Sequence, residues 1–140
     1  DKERHRYDFS FSGLKTAVAR YVESLRAQDQ PIPSADICAS FSEAVNDSLT
    51  AKAVQACLDT DCDTLVVGGG FSANSHLRAL AAERCAAAGI TLRLPPLRYC
   101  TDNGAQIAAI GSALVRAGVA PSSLDFAPDS GMSLSQTVMP

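Results

Sequence analysis

Three consecutive glycines follow a short apolar run, and an asparagine stands shortly after them at Asn74. The apolar run, residues 64–67, predicts a buried, parallel strand, and residues 74–88 predict a helix that ends at Gly89. In open α/β sheets ligands bind where a strand meets a helix start, because backbone N–H groups and the helix dipole favour phosphate there. We therefore expect ligand contact at glycines 68–70, although a tight turn by itself would also use glycine.

The same glycines satisfy the dinucleotide-binding pattern G-x-G-x-x-A, which runs from Gly68 through Gly70 to Ala73. That motif needs an acidic residue at the end of the next strand, about 20 residues further on. Residues 91–95 read Thr-Leu-Arg-Leu-Pro and hold no carboxylate. An NADP-binding, Rossmann-like module that uses Arg93 instead stays open as an alternative.

An acid and an amide, Asp102 and Asn103, stand directly before an almost wholly apolar helix that ends at Gly118. Threonine, aspartate and asparagine are suitable helix caps, so Thr101, Asp102 or Asn103 could satisfy the free amides at the helix start. The other interpretation is that Asp102 holds a cation or a substrate at the mouth of a cleft. Asn74 likewise either caps its helix or binds the hydroxyl groups of a ligand.

The helices and strands that position these residues can be read from the spacing of the apolar side chains. Residues 7–11 alternate between apolar and polar, which predicts a half-buried strand. Residues 14–28 predict a helix that is capped by Ser12. A second helix is expected over residues 34–58, and its buried side is predicted to consist of Ile37, Phe41, Val45, Leu49 and Ala53.

The order of the elements indicates the fold class. Residues 90–94 predict another strand, the helix after Asp102 is expected to be largely buried, and residues 121–140 predict an irregular tail. Strands that alternate with helices in this order predict an α/β fold with a mainly parallel sheet flanked by helices. We expect residues 1–140 to form a single α/β lobe.

The composition fits one globular domain and excludes some classes of function. The chain has 140 residues, of which 46% are hydrophobic, and no apolar run approaches the roughly 18 residues of a membrane span. A net charge of -3 argues against a generally basic surface for nucleic acid. A local cluster could still line a phosphate path, with solvated surface side chains as the alternative; it consists of Arg78, Arg84, Arg93 and Arg98.

The cysteines and the first residues bear on the cellular setting. The five cysteines include no C-x-x-C pair, so we expect free, mostly buried thiols in a reducing cytoplasm. His76 has no second histidine one turn away and is expected to be a surface or packing residue. The chain begins with charged residues and without an apolar leader, which predicts no signal peptide and a piece of something longer.

Three segments of the chain together resemble one family. They are residues 8–16 (Asp-Phe-Ser-Phe-Ser-Gly-Leu-Lys-Thr), residues 66–78 (Val-Val-Gly-Gly-Gly-Phe-Ser-Ala-Asn-Ser-His-Leu-Arg) and residues 100–108 (Cys-Thr-Asp-Asn-Gly-Ala-Gln-Ile-Ala). Their order and spacing are similar to those of the C-terminal half of the tRNA threonylcarbamoyladenosine transferases, the TsaD family. The similarity runs over about residues 7–132.

This resemblance implies one lobe of an actin-like ATPase (ASKHA) fold, the C-terminal lobe of a longer cytoplasmic acyltransferase. It implies transfer of a threonylcarbamoyl group from threonylcarbamoyl-adenylate to the adenosine beside the tRNA anticodon. On that analogy Asp102 ligates a divalent metal, iron or zinc, while Asn74 contacts the adenylate. Gly69 and Gly70 would pack against the adenosine portion. The implied protein partners are a TsaB-like paralogue and a TsaE-like ATPase.

The chain departs from the family pattern at several positions. Family members usually carry Val-Ala-Ala-Asn where this chain has Phe71 to Asn74, and often Met in place of Gln106. The H-x-x-x-H pair that completes the family's metal site does not occur in this sequence, so we expect the chain alone to be inactive. A non-catalytic lobe that docks partners remains an alternative. An uncovered face between lobes would favour a dimer of the chain.

Overall fold

The computed structural model describes residues 5–125, 127 and 130–132. Its helices and strands are, in order, α1 (Ser12–Ala27), α2 (Ser34–Asp59), β1 (Thr64–Val66), α3 (Ser75–Ala88), β2 (Thr91–Arg93) and α4 (Gly104–Arg116). The predicted α/β class is confirmed. The chain divides into two compact units, the first ending at Cys100 and the second beginning at Thr101. Membership of one lobe in a longer protein stays a prediction. None of the described helices is long and apolar enough to cross a membrane.

The sheet consists of β1 and β2, which pair in parallel with Leu65 opposite Leu92. Helix α3 connects the two strands, since parallel neighbours need a crossover. The predicted parallel pairing is therefore confirmed. The prediction that the first strand is buried is wrong, because Val66 is 72% exposed. No third strand among the described residues covers the free edge of β1.

Residues 7–11 form no strand, so the prediction of a half-buried strand is wrong. The alternation of aromatic residues instead lets Phe9 and Phe11 stack, with ring centroids 6.3 Å apart. The segment is held on α2 by side chains, since the Tyr7 hydroxyl donates to Asp59 Oδ2 at 2.6 Å. The Lys52 ammonium lies 5.3 Å from the ring centroid of Phe9. Pattern alone predicted extended backbone, but no described strand pairs with it.

The core lies between α2, α3 and the sheet. Cys57, Cys85 and Ile90 form its buried cluster. Leu77 and Ala81 of α3 are also buried.

The prediction for the inner face of α2 is wrong in detail. The buried residues of this helix are Asn46, Thr50 and Cys57, whereas the predicted set is only half-buried; that set is Ile37, Phe41, Val45, Leu49 and Ala53. The buried Thr50 hydroxyl is satisfied, because it accepts from Arg84 of α3 at 2.7 Å and donates to Asn46 O at 2.8 Å. Polar residues of α2 thus form part of its contact with α3. The spacing of apolar residues does not reveal such a contact.

The predicted helix ends hold with one exception. Gly89 adopts a left-handed conformation (φ 70°) and ends α3 as predicted. Gly118, also left-handed (φ 73°), follows α4. Ser12 is not the cap of α1, because Phe11 occupies the N-cap position and no side chain caps that helix.

Helix α4 is exposed, so the prediction that it is largely buried is wrong. None of its residues is buried, and Ile107 and Val115 are 72% and 77% exposed. The reason is that α4 is the only helix or strand described in the second unit, which gives its apolar side chains no element of that unit to pack against.

The remaining predictions concern the cysteines and the tail. All five cysteines are free; three are buried, and Cys38 and Cys62 are exposed, which confirms the prediction of free, mostly buried thiols. The described part of the predicted tail, residues 121–125, 127 and 130–132, forms no helix or strand. The rest of that tail lies outside the described residues.

Candidate functional site

The chain turns between β1 and α3 through the three glycines. Gly69 has a φ of +84°, which side chains of L-residues disfavour, so the backbone itself requires glycine there. Gly68 and Gly70 have no such φ, and a Cβ built on either one meets no atom within 4 Å. The described chain therefore gives no steric reason for glycine at these two positions. A ligand lying against the backbone would give one.

The 3₁₀-helical turn Gly70–Ala73 follows directly and is fixed by its own hydrogen bonds. The Ser72 hydroxyl donates to Gly69 O at 2.7 Å, and the Ser72 N–H donates to the same oxygen at 3.0 Å. The Asn74 N–H donates to Phe71 O at 3.0 Å. Ser72 is 1% exposed, so the turn is anchored from inside while its glycines face outward.

Asn74 caps α3, which confirms the structural interpretation of this residue. Its Oδ1 accepts a hydrogen bond from the Leu77 N–H at 2.9 Å. The Asn74 side-chain NH₂ donates to no group among the described residues. This half-buried amide thus combines a structural acceptor with a donor that is available to a ligand.

An apolar cavity of about 370 Å³ lies beside the glycine turn. Its lining includes Phe9 from the N-terminal segment, Leu49 from α2, Val66 from β1, and Phe71 from the turn. Gly68 also borders it. Open backbone therefore lies next to apolar surface, an arrangement suited to a flat ring with polar substituents.

Two of the four arginines proposed for a phosphate path make hydrogen bonds to other residues of the chain. Arg78 donates to Ser72 O and to Pro95 O, each at 2.6 Å. Arg84 donates to the Asp47 side chain and backbone. The expectation of solvated side chains is therefore wrong for these two, whereas Arg93 and Arg98 are exposed.

The role of Arg78 is the main feature that sequence reasoning missed. Its spacing offered a signal, because Arg78 follows Asn74 by four residues and so lies one helical turn further on the same face. A residue on that face can reach back to the turn that precedes the helix.

Asp102 belongs to the second unit and is not a helix cap. Asn103 caps α4, because its Oδ1 accepts a hydrogen bond from the Gln106 N–H at 3.2 Å. The Asn103 NH₂ also donates to Thr101 O at 2.8 Å. Asp102 is exposed, and no hydrogen bond or ion pair engages its carboxylate within the described part of the chain. Its acid is thus not needed for the start of the helix.

The described residues do not by themselves fit a tightly held metal ion. Nowhere in residues 5–125, 127 and 130–132 do three His, Cys, Asp or Glu side chains come together as ligands. His76 Nε2 lies 2.6 Å from Glu43 Oε2, and both side chains are exposed. Asp102 offers one carboxylate, whereas a stable transition-metal site needs three or more protein ligands.

Comparison with known proteins decides the family. The model of the family TsaD, tRNA N6-adenosine threonylcarbamoyltransferase, matches residues 1–109. This chain belongs to the TsaD family. The matched range includes the glycine turn, Asn74 and Asp102, so the resemblance inferred from the three sequence segments is confirmed. TsaD membership does not favour an NADP-binding module or a non-catalytic lobe.

Two curated TsaD relatives are similar to the chain over most of its length. The tRNA N6-adenosine threonylcarbamoyltransferase of Corynebacterium diphtheriae is 54% identical over 130 residues, which cover 93% of this chain. The protein of the same name from Corynebacterium aurimucosum is 53% identical over 130 residues, again 93% of this chain. The chain spans 37% of the length of each of these relatives.

Proposed function

We propose that this TsaD-family chain is the adenylate-binding, C-terminal part of a tRNA threonylcarbamoyltransferase. The observation that carries the proposal is the open backbone at Gly68 and Gly70, next to the free NH₂ of Asn74. Family membership supports a tRNA N6-adenosine as the acceptor. We propose threonylcarbamoyl-adenylate as the donor and the adenosine beside the anticodon as the position that is modified.

The turn and the cavity suit the planar ring and the hydroxyl-bearing ribose of an adenosine. The backbone at Gly69 and Gly70 leaves room for a planar ring, and Phe71 supplies an aromatic surface that is 49% exposed. The Asn74 NH₂ is placed to donate to a hydroxyl oxygen of the ligand. We propose that these contacts hold the adenylate so that its acyl carbon is presented to the tRNA.

The transfer itself needs no covalent enzyme intermediate. The exocyclic amine of the tRNA adenosine attacks the carbamoyl carbon, a C–N bond forms, the C–O bond to the phosphate breaks, and AMP leaves while the amine loses a proton. In this proposal the chain binds and orients the adenylate. Cys100 is not needed as a nucleophile, which agrees with its 2% exposure.

Asp102 is proposed as one oxygen ligand of a divalent metal, iron or zinc, shared with side chains outside this chain. Its exposed, unengaged carboxylate supports the proposal. Because the described residues do not complete a metal site, the isolated chain is proposed to be inactive in transfer. Coordination by further residues is a requirement of the proposal and follows from the number of ligands a stable site needs.

The partners and setting rest on family membership alone. We propose that the full protein works in the cytoplasm with tRNA, a TsaB-like paralogue and a TsaE-like ATPase, in the actin-like (ASKHA) fold. The exposed apolar side chains of α4 support dimerisation of the isolated chain, which its hydrodynamic mass would test.

The experiment that tests the function is a tRNA threonylcarbamoylation assay with two proteins. One is the Corynebacterium diphtheriae relative in which this chain replaces the 130-residue matching segment, and the other is this chain alone. We expect modified tRNA from the first and none from the second. A correctly folded hybrid without activity would contradict the transferase proposal, and activity of the chain alone would contradict the incomplete metal site.

A further inference from the structure

Arg78 connects two segments of the first unit that are distant in sequence. Its Nε donates to Ser72 O in the turn before α3 at 2.6 Å. Its Nη2 donates to Pro95 O at 2.6 Å and to Cys100 Sγ at 3.3 Å, in the loop that follows β2. A single guanidinium thus joins the glycine turn to the 95–100 loop.

The hydrogen bonds continue from Arg78 to the glycines. Ser72, whose carbonyl accepts from Arg78, donates to Gly69 O through both its hydroxyl and its N–H. The Arg78 N–H in turn donates to Asn74 O at 3.1 Å. The guanidinium of Arg78 is therefore linked through Ser72 to Gly69 O, while its backbone N–H contributes to the start of α3.

The chemistry of the contacts favours arginine specifically. The acceptors are two carbonyl oxygens and a sulfur, and no carboxylate among the described residues pairs with Arg78. Hydrogen bonds from a charged donor are stronger than neutral ones, particularly where the donor is partly buried, as Arg78 is. The planar guanidinium lets Nε donate to the turn while Nη2 donates to the 95–100 loop. The single ammonium of lysine does not reproduce this geometry.

We propose that Arg78 is a positioning residue that holds the Gly70–Ala73 turn in its ligand-binding conformation by tying it to the 95–100 loop. It acts through Ser72 and does not itself touch the ligand. The consequence for adenylate binding rests on the function proposed above, whereas the effect on the turn does not depend on it.

The test compares Arg78→Met with Arg84→Met in the 140-residue chain by NMR amide hydrogen exchange. Arg84 is the matched control, because it lies on the same helix and also donates to backbone and side-chain groups, but on α2. We expect the Ser72 and Asn74 amides to exchange at least about tenfold faster in Arg78→Met, since hydrogen bonds from a charged donor are stronger than neutral ones and the turn loses one of them. Arg84→Met should leave these two amides unchanged.

A second variant keeps the inference falsifiable if Arg78→Met does not fold. Arg78→Lys retains the charge and the apolar stem but loses the fork, so the same two amides should exchange faster than in the wild type and slower than in Arg78→Met. Unchanged exchange at Ser72 and Asn74 in Arg78→Lys, or equal acceleration in Arg84→Met, would overturn the inference.

AMP affinity, measured by calorimetry, separates the two proposals. We expect Arg78→Met to weaken AMP binding by about tenfold or more because the turn loses its bond to the guanidinium, with Arg84→Met close to wild type. If the wild-type chain binds no AMP while Arg78→Met accelerates exchange, the adenylate proposal fails and the role of Arg78 in the turn is supported. If AMP binds equally to all variants and exchange is unchanged, the role of Arg78 is overturned alone.

Discussion

The Oδ1 of Asn74 accepts a hydrogen bond from the Leu77 N–H at 2.9 Å and thereby caps α3. The same side chain has an NH₂ group that no described residue uses. One residue therefore has a structural atom and an atom available for binding, and replacing the whole side chain would remove both. A substitution that changes only the second atom separates the two roles.

Asn74→Asp is that substitution, because aspartate keeps the capping oxygen and loses the NH₂ donor. We expect the free energy of unfolding to stay within about 0.5 kcal/mol of wild type in Asn74→Asp and to fall by about 1 kcal/mol in Asn74→Ala. AMP affinity should fall in both variants, since both lack the NH₂ donor. In Asn74→Asp the new carboxylate also repels the phosphate of AMP. Urea denaturation and calorimetry measure the two quantities.

Asn103→Asp is the matched control, since Asn103 caps α4 with its Oδ1 in the same way. It should leave AMP affinity unchanged. Wild-type affinity in Asn74→Asp would contradict the role of the NH₂ group in binding.

Asp102→Ala should leave the fold intact and abolish transfer by a full-length protein that contains this segment. The stability of the chain should change by less than about 0.5 kcal/mol, because the exposed carboxylate has no partner within the described residues. The measurements are urea denaturation of the chain and a tRNA modification assay of the full-length protein. Asp125→Ala, in the same unit, is the control for loss of a negative charge. Retained transfer in Asp102→Ala would eliminate the proposed metal role.

The elements that the sequence predicted well are those whose signals are local. The ends of α3 follow from Asn74 and Gly89, whose capping and left-handed conformations depend only on neighbouring residues. The burial of helix faces was predicted less well, because it depends on whether another element packs against the face. The apolar side chains of α4 read as a buried helix, yet Ile107 is 72% exposed. Spacing reveals which face is apolar and not whether another element covers it.

Asn46 of α2 is fully buried, and its Oδ1 has no hydrogen-bond partner among the described residues. Its NH₂ makes one long bond, to Ser42 Oγ at 3.3 Å. A buried acceptor without a partner costs about 1–3 kcal/mol, so Asn46→Leu should raise the free energy of unfolding by about 1 kcal/mol after loss of that bond. Urea denaturation of the chain measures the change.

Ser42→Ala provides the comparison for Asn46→Leu, because it removes the long bond and leaves the orphan oxygen in place. We expect Ser42→Ala to lower the free energy of unfolding by about 1 kcal/mol or more, because the buried Asn46 NH₂ then loses its partner as well. A clear loss in Asn46→Leu would show that the oxygen is satisfied in solution.

The Tyr7–Asp59 hydrogen bond should make stability depend on acid pH. The Tyr7 hydroxyl, then the Gln55 amide, lower the pKa of the Asp59 carboxyl in the folded chain. The unfolded chain therefore takes up this proton first, near the ordinary aspartate pKa of about 3.9. The stabilisation is present above that pH and is lost as the pH falls through the lower folded pKa.

Tyr7→Phe removes the largest cause of this pKa shift, so its stability should fall less steeply between about pH 5 and pH 3. Urea denaturation across this range measures the slope. Tyr21→Phe is the control, because Tyr21 is 50% exposed and its variant should keep the wild-type slope. Identical slopes in all three proteins would contradict a contribution from the Tyr7–Asp59 bond.

The candidate site was predicted in part for the same physical reason. Gly69 and Asn74 predict a strand-to-helix turn from their residue types, because glycine suits a positive φ and asparagine suits a helix N-cap. The bonds from Arg78 to Pro95 and Cys100 span 17 and 22 residues, and no local pattern encodes such pairs. Long-range contacts by side chains therefore required the structure.

The pairing of β1 and β2 leaves each strand with one row of backbone N–H and C=O groups that no described strand satisfies. Such a pair is a template for strand addition, because an edge strand presents unpaired N–H and C=O groups to which a further extended segment can hydrogen-bond. Growth of the sheet would also cover Val66, which is now 72% exposed. An added strand would extend a pairing whose register is already set by Leu65 opposite Leu92.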